Sequence, residues 1–186
     1  MVSLRSLVAG VALLAAPVMA ALTPLQISDG LAQLTKMSQE LQPVAASITI
    51  VNAPLIVIGQ GPFPPLIKGF TEMVTVGTVI IGQTQGTPQI TVEADATLVF
   101  ESFRGFVRVH QALLNILIGK AGILTKVPMV GQPVAAVLRQ VEGVVDSIAI
   151  FLIDLVESRA KDLESEANSV GESLDLCIQQ YEGIQV

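Results

Sequence analysis

Any chemistry in this chain has few residues to rest on. There is one histidine, His110, and one cysteine, Cys177. Single copies exclude the usual zinc sites built from His and Cys, so no metal is expected. A Ser-His-Asp triad would have to recruit His110, and no serine stands in a Gly-x-Ser-x-Gly elbow. The segment GQGP at 59–62 lacks the Lys-Ser/Thr of a phosphate loop and leads into prolines, not a helix start. Glu142 and Asp146 read as a solvated helix face. Neither an enzyme nor a cofactor is expected. His110 keeps two readings. One is a core histidine bonded to a backbone carbonyl or to Asn115. The other is a polar anchor in an apolar cavity, facing a carboxylate or hydroxyl head group. Arg104 and Arg108 fall one face over and read as surface ion pairs, with Arg108 the better candidate for a cavity mouth.

The element that must position His110 runs from Val92 to Leu124. Apolar residues recur at Ala96, Val99/Phe100, Phe103, Phe106/Val107, Leu113/Leu114 and Leu117, with His110 in the same row. Three-and-four spacing marks an amphipathic helix. A parallel row is polar: Glu101, Arg104, Arg108, Gln111 and Asn115. Such a helix is roughly 45 Å long and needs partner helices to cover its apolar face.

The rest of the chain supplies them. Thr23-Pro24-Leu25-Gln26 is a capping box with proline in the first turn, and Ile27, Leu31, Leu34 and Leu41 follow on one face. Pro43 is expected to kink or end that helix, with Val44–Val51 continuing in a new direction. Asn52–Pro65 carries too many glycines and prolines for an α-helix. Its Leu55, Val57 and Phe63 predict a lid folded back over the bundle, with a short edge strand as the alternative. Leu66–Ile81 has helical spacing despite its β-branched TVGTVII. Gly82–Thr91 is a loop, with Thr91 able to cap the central helix. A turn at Gly119–Gly131 precedes a helix opened by Pro133, which is apolar all round from Ile148 to Ile153. Charge rises abruptly at Glu157, where a hinge is expected before an outer helix with Leu163, Val170, Leu174 and Cys177 on its buried stripe. The fold class is all-α: an up-and-down bundle of about five helices with one long breaker-rich connector.

Composition narrows the function. Arg5, the apolar run Leu7–Ala16 and Val18-Met19-Ala20 form a secretory signal peptide over residues 1–20, too short to span a membrane. Residues 21–186 are then one domain, with no integral membrane segment expected in the mature chain. The net charge of −6 disfavours nucleic acid as a partner. Hydrophobic residues make up 51% of the chain and mean hydropathy is +0.66, while aromatics are only 4%. That much aliphatic mass implies an outsized core, a lined cavity or an outward apolar face. No Asn-x-Ser/Thr sequon occurs.

The phrases NAPLIVIGQGPFPPLI, FRGFVRVHQALLNILIGKAG and PVAAVLRQVEGVVDSIAIFLID resemble the fungal hydrophobic surface-binding protein A and cell-wall galactomannoprotein family over most of Thr23–Tyr181. The resemblance implies a secreted helical bundle, extracellular or in the cell wall, that either carries fatty acids in an elongated cavity or adsorbs to hydrophobic surfaces and recruits a secreted esterase. The chain lacks the sequon and the Ser/Thr-rich tail of the mannoprotein type. From the residues themselves, a cavity for a fatty acid or similar lipid is expected between helices. Its predicted lining is Phe63, Phe103, Val107, His110, Leu114, Ile148 and Phe151, with the central helix and the Pro133 helix facing each other. A surface-active protein is the alternative.

Overall fold

The predicted capping box is present: Thr23 Oγ1 accepts from the Gln26 amide at 3.2 Å and Gln26 Oε1 accepts from the Thr23 amide at 2.8 Å. It starts α1, Pro24–Ala46, in a computed structural model that describes residues 21–84, 86–124 and 130–183, with backbone alone at 123 and 124. The further helices are α2 (Phe63–Gln83), α3 (Glu93–Leu124), α4 (Gly131–Leu155) and α5 (Ala160–Glu182). Short 3-10 turns occupy Ala53–Ile58 and Glu157–Arg159, and no strand occurs among the described residues. The fold is the expected all-α bundle of five helices. The predicted leader and most of the turn before α4 lie outside the described residues.

Local sequence explains the boundaries. Pro43 sits in the last turn of α1, and the chain leaves the helix at Ser47; the expected second helical run at Val44–Val51 does not form. Pro64 and Pro65 fall in the first turn of α2, where their missing amides cost nothing, so α2 starts three residues before Leu66. The hinge near Glu157 is real: Val156 leaves helical geometry at φ −122 and ψ 67.

The helices close into a ring. α1 packs on α3, α3 on α5, α5 on α4, α4 on α2, and α2 back on α1. Cross-links fix the directions. Ser28 meets Ser102 and Ser38 meets His110, so α1 and α3 run parallel. Arg104 meets Glu166 and Tyr181 Oη donates to Leu117 O, so α3 and α5 run parallel as well. Arg139 pairs with Glu182, which makes α4 antiparallel to α5. The chain thus alternates up and down, but sequence neighbours are not always spatial neighbours. α3 and α4 lie across the ring with α5 between them, contrary to the expected face-to-face pairing.

Because α2 and α3 are not adjacent, the link at 84–92 must cross one end of the ring. It does so with a hydrogen bond from the Ile90 amide to Leu155 O at 2.9 Å and another from the Leu22 amide to Thr87 Oγ1 at 3.1 Å. Ile90 is buried there. This link caps the bundle. The connector expected as a lid does not: of its apolar residues only Ala53 is buried and Ile56 half-buried, while Leu55, Val57 and Ile58 are exposed. Phe63 is buried because it already belongs to α2. The turn closes on itself, the Leu55 amide donating to Asn52 O and the Gly59 amide to Ile56 O, and so it does not pair as a strand.

α2 differs from the other helices. Ser38, Gln42, Gln111, Arg104, Tyr181 and Arg139 tie the other four together. Among the described residues, no side-chain hydrogen bond or ion pair joins α2 to another helix; its threonines bond within the helix and Lys68 pairs with Glu72. It is held by Phe63, Leu66, Phe70 and Met73 and by close approach at two glycines. By length and composition alone it is apolar enough to cross a membrane, although here it forms one wall of the bundle. A Cβ at Gly77 would overlap Val144 Cγ1, and one at Gly69 would overlap Leu41 Cδ2. Val144 is stiff at χ1, whereas the end of Leu41 can swing away. Gly77→Ala is therefore expected to cost about 1–3 kcal/mol, and Gly69→Ala less, read as the shift in urea midpoint.

Candidate functional site: a buried histidine in an aromatic and aliphatic interior

α3 carries His110 near its middle, where three and four residue spacing turns it onto the same face as Phe103, Phe106, Val107 and Leu114. All five are fully buried. The Phe106 ring stacks on the imidazole at 5.3 Å between centroids, and Phe70 reaches across the ring from α2 to meet it edge-on at 6.3 Å. Ser38 Oγ of α1 lies 3.0 Å from Nδ1. Neither expected partner is used: Asn115 is exposed, and the bond is to a serine side chain.

That serine fixes the tautomer. A hydroxyl has one hydrogen, and Ser38 Oγ donates it to Leu34 O at 3.0 Å, one turn back. Nδ1 must then carry the proton and donate to Oγ. Nε2 remains a bare acceptor, fully buried and without any partner. Burial in this apolar setting lowers the imidazole pKa to about 4, so the ring is neutral at physiological pH. An orphaned buried acceptor costs about 1–3 kcal/mol.

The Ser38–His110 pair is not a hydrolytic site. No carboxylate orients the imidazole, both groups are sealed from solvent, and the hydroxyl is committed to a carbonyl. Two further carboxylates have shifted pKa values. Burial, and then Asp175, raise the pKa of Glu142 on the α4–α5 seam, and the same two causes raise that of Asp146. No group of three residues able to hold a metal occurs among the described residues. Cys177 is buried, as its place on the α5 stripe predicts.

The predicted lining spreads along the bundle. Phe103, Val107, His110 and Leu114 share the inner face of α3. Ile148 of α4 is buried against Gly77 of α2, in the half of the bundle nearer the 84–92 link. Phe151 is half-buried and lines a shallow depression with Thr87, Gln89 and Leu155. Phe63 stands at the opposite pole, at the first turn of α2. Three residues missing from that lining complete the surroundings of His110: Ser38, Phe70 and Phe106. Ser38 was detectable, since it occupies the one polar place in the apolar row Ile27, Leu31, Leu34, Leu41. Arg108 is exposed, and Arg104 pairs with Glu101 and Glu166 over the Phe100 ring.

Phe103, Phe106, Val107, His110 and Leu114 are fully buried, so no water-sized space adjoins them. An acyl chain could enter only by displacing a wall. The α1–α2 seam is indented from outside. It bears a depression of about 470 Å³ lined by Gln26, Gly30, Gln33, Val76, Val79 and Ile80, continuing past Met37 toward Glu72.

No family model and no curated protein matches this sequence. The fold is similar to that of solved structures. Ligand binding domain 1 of the Penicillium marneffei MP1 protein, complexed with arachidonic acids, aligns at TM-score 0.72 and 14% identity, over 85% of this chain and 98% of that one. AFMP4P in complex with palmitic acid aligns at TM-score 0.64 and 16% identity, over 85% and 99%. At such identities the likeness is one of fold: this chain is built as the same kind of helical bundle as two proteins solved with fatty acids bound.

Proposed function

We propose that this chain is a secreted, non-enzymatic carrier of a fatty acid or similar long-chain lipid, held inside the helical ring with its polar head at His110. The observation that carries the reading is the orphaned Nε2, a hydrogen-bond acceptor facing aromatic and aliphatic side chains with nothing to accept. The aliphatic interior suits an acyl tail, which gains about 0.8 kcal/mol for each CH₂ removed from water. The fold neighbours with arachidonic and palmitic acid support the ligand class. α2 is the wall that yields, since among the described residues no side-chain hydrogen bond or ion pair ties it to another helix. Native mass spectrometry of the delipidated chain with palmitic acid should show a single-acid adduct that survives dilution. An absence of adduct at saturating palmitic acid overturns the reading.

One observation favours the surface-active alternative. Ile50, Val51, Leu55, Val57 and Ile58 are exposed together at the pole away from the 84–92 link, in a stretch with no charged residue between Glu40 and Lys68. If adsorption is the function, the chain will coat a hydrophobic surface while showing no stoichiometric lipid in the mass spectrum. An esterase partner belongs to that alternative.

A further inference from the structure

The ligand chemistry follows from which groups share the interior with His110. α3 packs against α1 and α5, and α2 reaches it through Phe70. The charged residues of α1 are Asp29, Lys36 and Glu40, and those of α2 are Lys68 and Glu72; all are exposed. On α3 itself, Glu93, Glu101 and Arg108 are exposed, and Asp95, Arg104 and Lys120 are half-buried, with Arg104 turned to Glu101 and Glu166 and Lys120 to Ile48 O. On α5, Lys161, Asp162, Glu164, Glu172 and Asp175 are exposed and Glu166 and Glu182 half-buried; Glu182 pairs with Arg139. The remaining buried titratable groups there are Cys177 and Tyr181. Burial pushes the Cys177 thiol up to about 12 and the Tyr181 phenol higher still, so both stay neutral across the physiological range.

Among the described residues the interior therefore offers a carboxylate no cation. A bare carboxylate at Nε2 would set two acceptors against each other and bury an unpaired charge. One proton removes both penalties. It makes either a neutral acid donating its O–H to Nε2 or an imidazolium bonded to the carboxylate, and the count is the same.

Resting on the lipid-carrier reading, we infer that the ligand is a single-chain lipid with an O–H head, and that a fatty acid loads together with one proton taken from solvent. The balance is carboxylate plus proton plus neutral imidazole giving one neutral hydrogen-bonded pair. A free fatty acid is ionised above about pH 4 to 5, and the free protein leaves His110 unprotonated there. In that range the affinity for the acid falls about tenfold for each pH unit, until the bound pair itself releases its proton. A fatty alcohol brings its own hydrogen and binds without proton exchange. A methyl ester, which only accepts, leaves Nε2 orphaned.

The test is calorimetry of the unaltered chain with dodecanoic acid, 1-dodecanol and methyl dodecanoate at pH 6 and pH 8. Each titration is repeated in two buffers of different ionisation enthalpy, which counts protons without any mutation. The expected results are one proton taken up per acid and none per alcohol, an acid affinity weakened by as much as about a hundredfold at the higher pH, an unchanged alcohol affinity, and the ester weakest at pH 6. Acid binding with no proton uptake and a flat pH profile overturns the inference and leaves the carrier reading standing. Failure of all three ligands to bind overturns both.

Discussion

Locking α2 to α4 should switch lipid uptake off. With Gly77→Cys and Val144→Cys introduced together, oxidation is expected to slow palmitic acid uptake at least about tenfold, and reduction to restore it in the same sample. The geometry is suitable: a Cβ built at Gly77 lies 3.7 Å from Val144 Cβ, close to the roughly 3.8 Å typical of disulfides. Cys177 need not be removed, because it is buried and its raised pKa keeps it out of thiol exchange. The expectation rests on the asymmetry of the ring. Polar ties join α1, α3, α5 and α4, and among the described residues none reaches α2. Opening any other wall would break Ser38–His110, Gln111–Ser173 or Arg139–Glu182. Uptake at an unchanged rate in the oxidised protein would show that α2 does not need to leave α4.

Acidification should reveal the cost of His110. Its folded pKa, about 4, lies below the unfolded value of 6.5. Between these values the unfolded chain binds a proton that the native chain refuses. The contribution is therefore complete above the unfolded pKa and is lost as pH falls from 6.5 toward 4. Two and a half units correspond to about 3 kcal/mol. Glu142 and Asp146, whose pKa values are raised, act in the opposite sense, since acid relieves their burial and their repulsion with Asp175. The difference between the native sequence and His110→Leu isolates the histidine. Leucine fills a similar volume and strands no polar group, because Ser38 keeps its bond to Leu34 O. Urea unfolding at pH 7 and pH 4 should show the variant at least as stable at pH 7 and ahead by about 3 kcal/mol at pH 4. Parallel curves at both pH values would mean that the imidazole is not held neutral in a closed interior.

The helices were legible because their signals are local. The Thr23–Gln26 box and the spacing of Phe103, Val107, His110 and Leu114 each act within a few residues, whereas Pro64 and Pro65 read as the end of the connector and in fact open α2. The composition break at Glu157 marked a real hinge. Ring order was not legible, because periodicity tells which face of a helix is buried and not which helix buries it. That is why α3 and α4 were expected to touch when α5 stands between them. The connector misled for a related reason. Leu55, Val57 and Ile58 are apolar, but apolar residues can be exposed, and a 3-10 turn of six residues is too short to fold back across the bundle. The cap is formed instead by the polar 84–92 link, whose single aliphatic anchor, Ile90, gave no periodic signal. Within the site, His110 and the inner face of α3 were readable. Phe70 and Phe106 were visible as core residues only, since contact with the imidazole depends on rotamers and on the ring. Ser38 was the missed clue, a hydroxyl where the α1 stripe calls for an aliphatic.

The single histidine allows the central claim, a lipid head group bound at Nε2 inside the ring, to be read at one atom. In the chain labelled with ¹⁵N-histidine, the ligand-free spectrum should show Nδ1 protonated and Nε2 as a bare acceptor. Addition of palmitic acid should move the Nε2 resonance strongly upfield, as an acid proton is shared with or transferred to it, in proportion to the fraction bound by mass spectrometry. A complex that is saturated by mass while both imidazole resonances stay where they were would contradict the account and place the lipid away from His110.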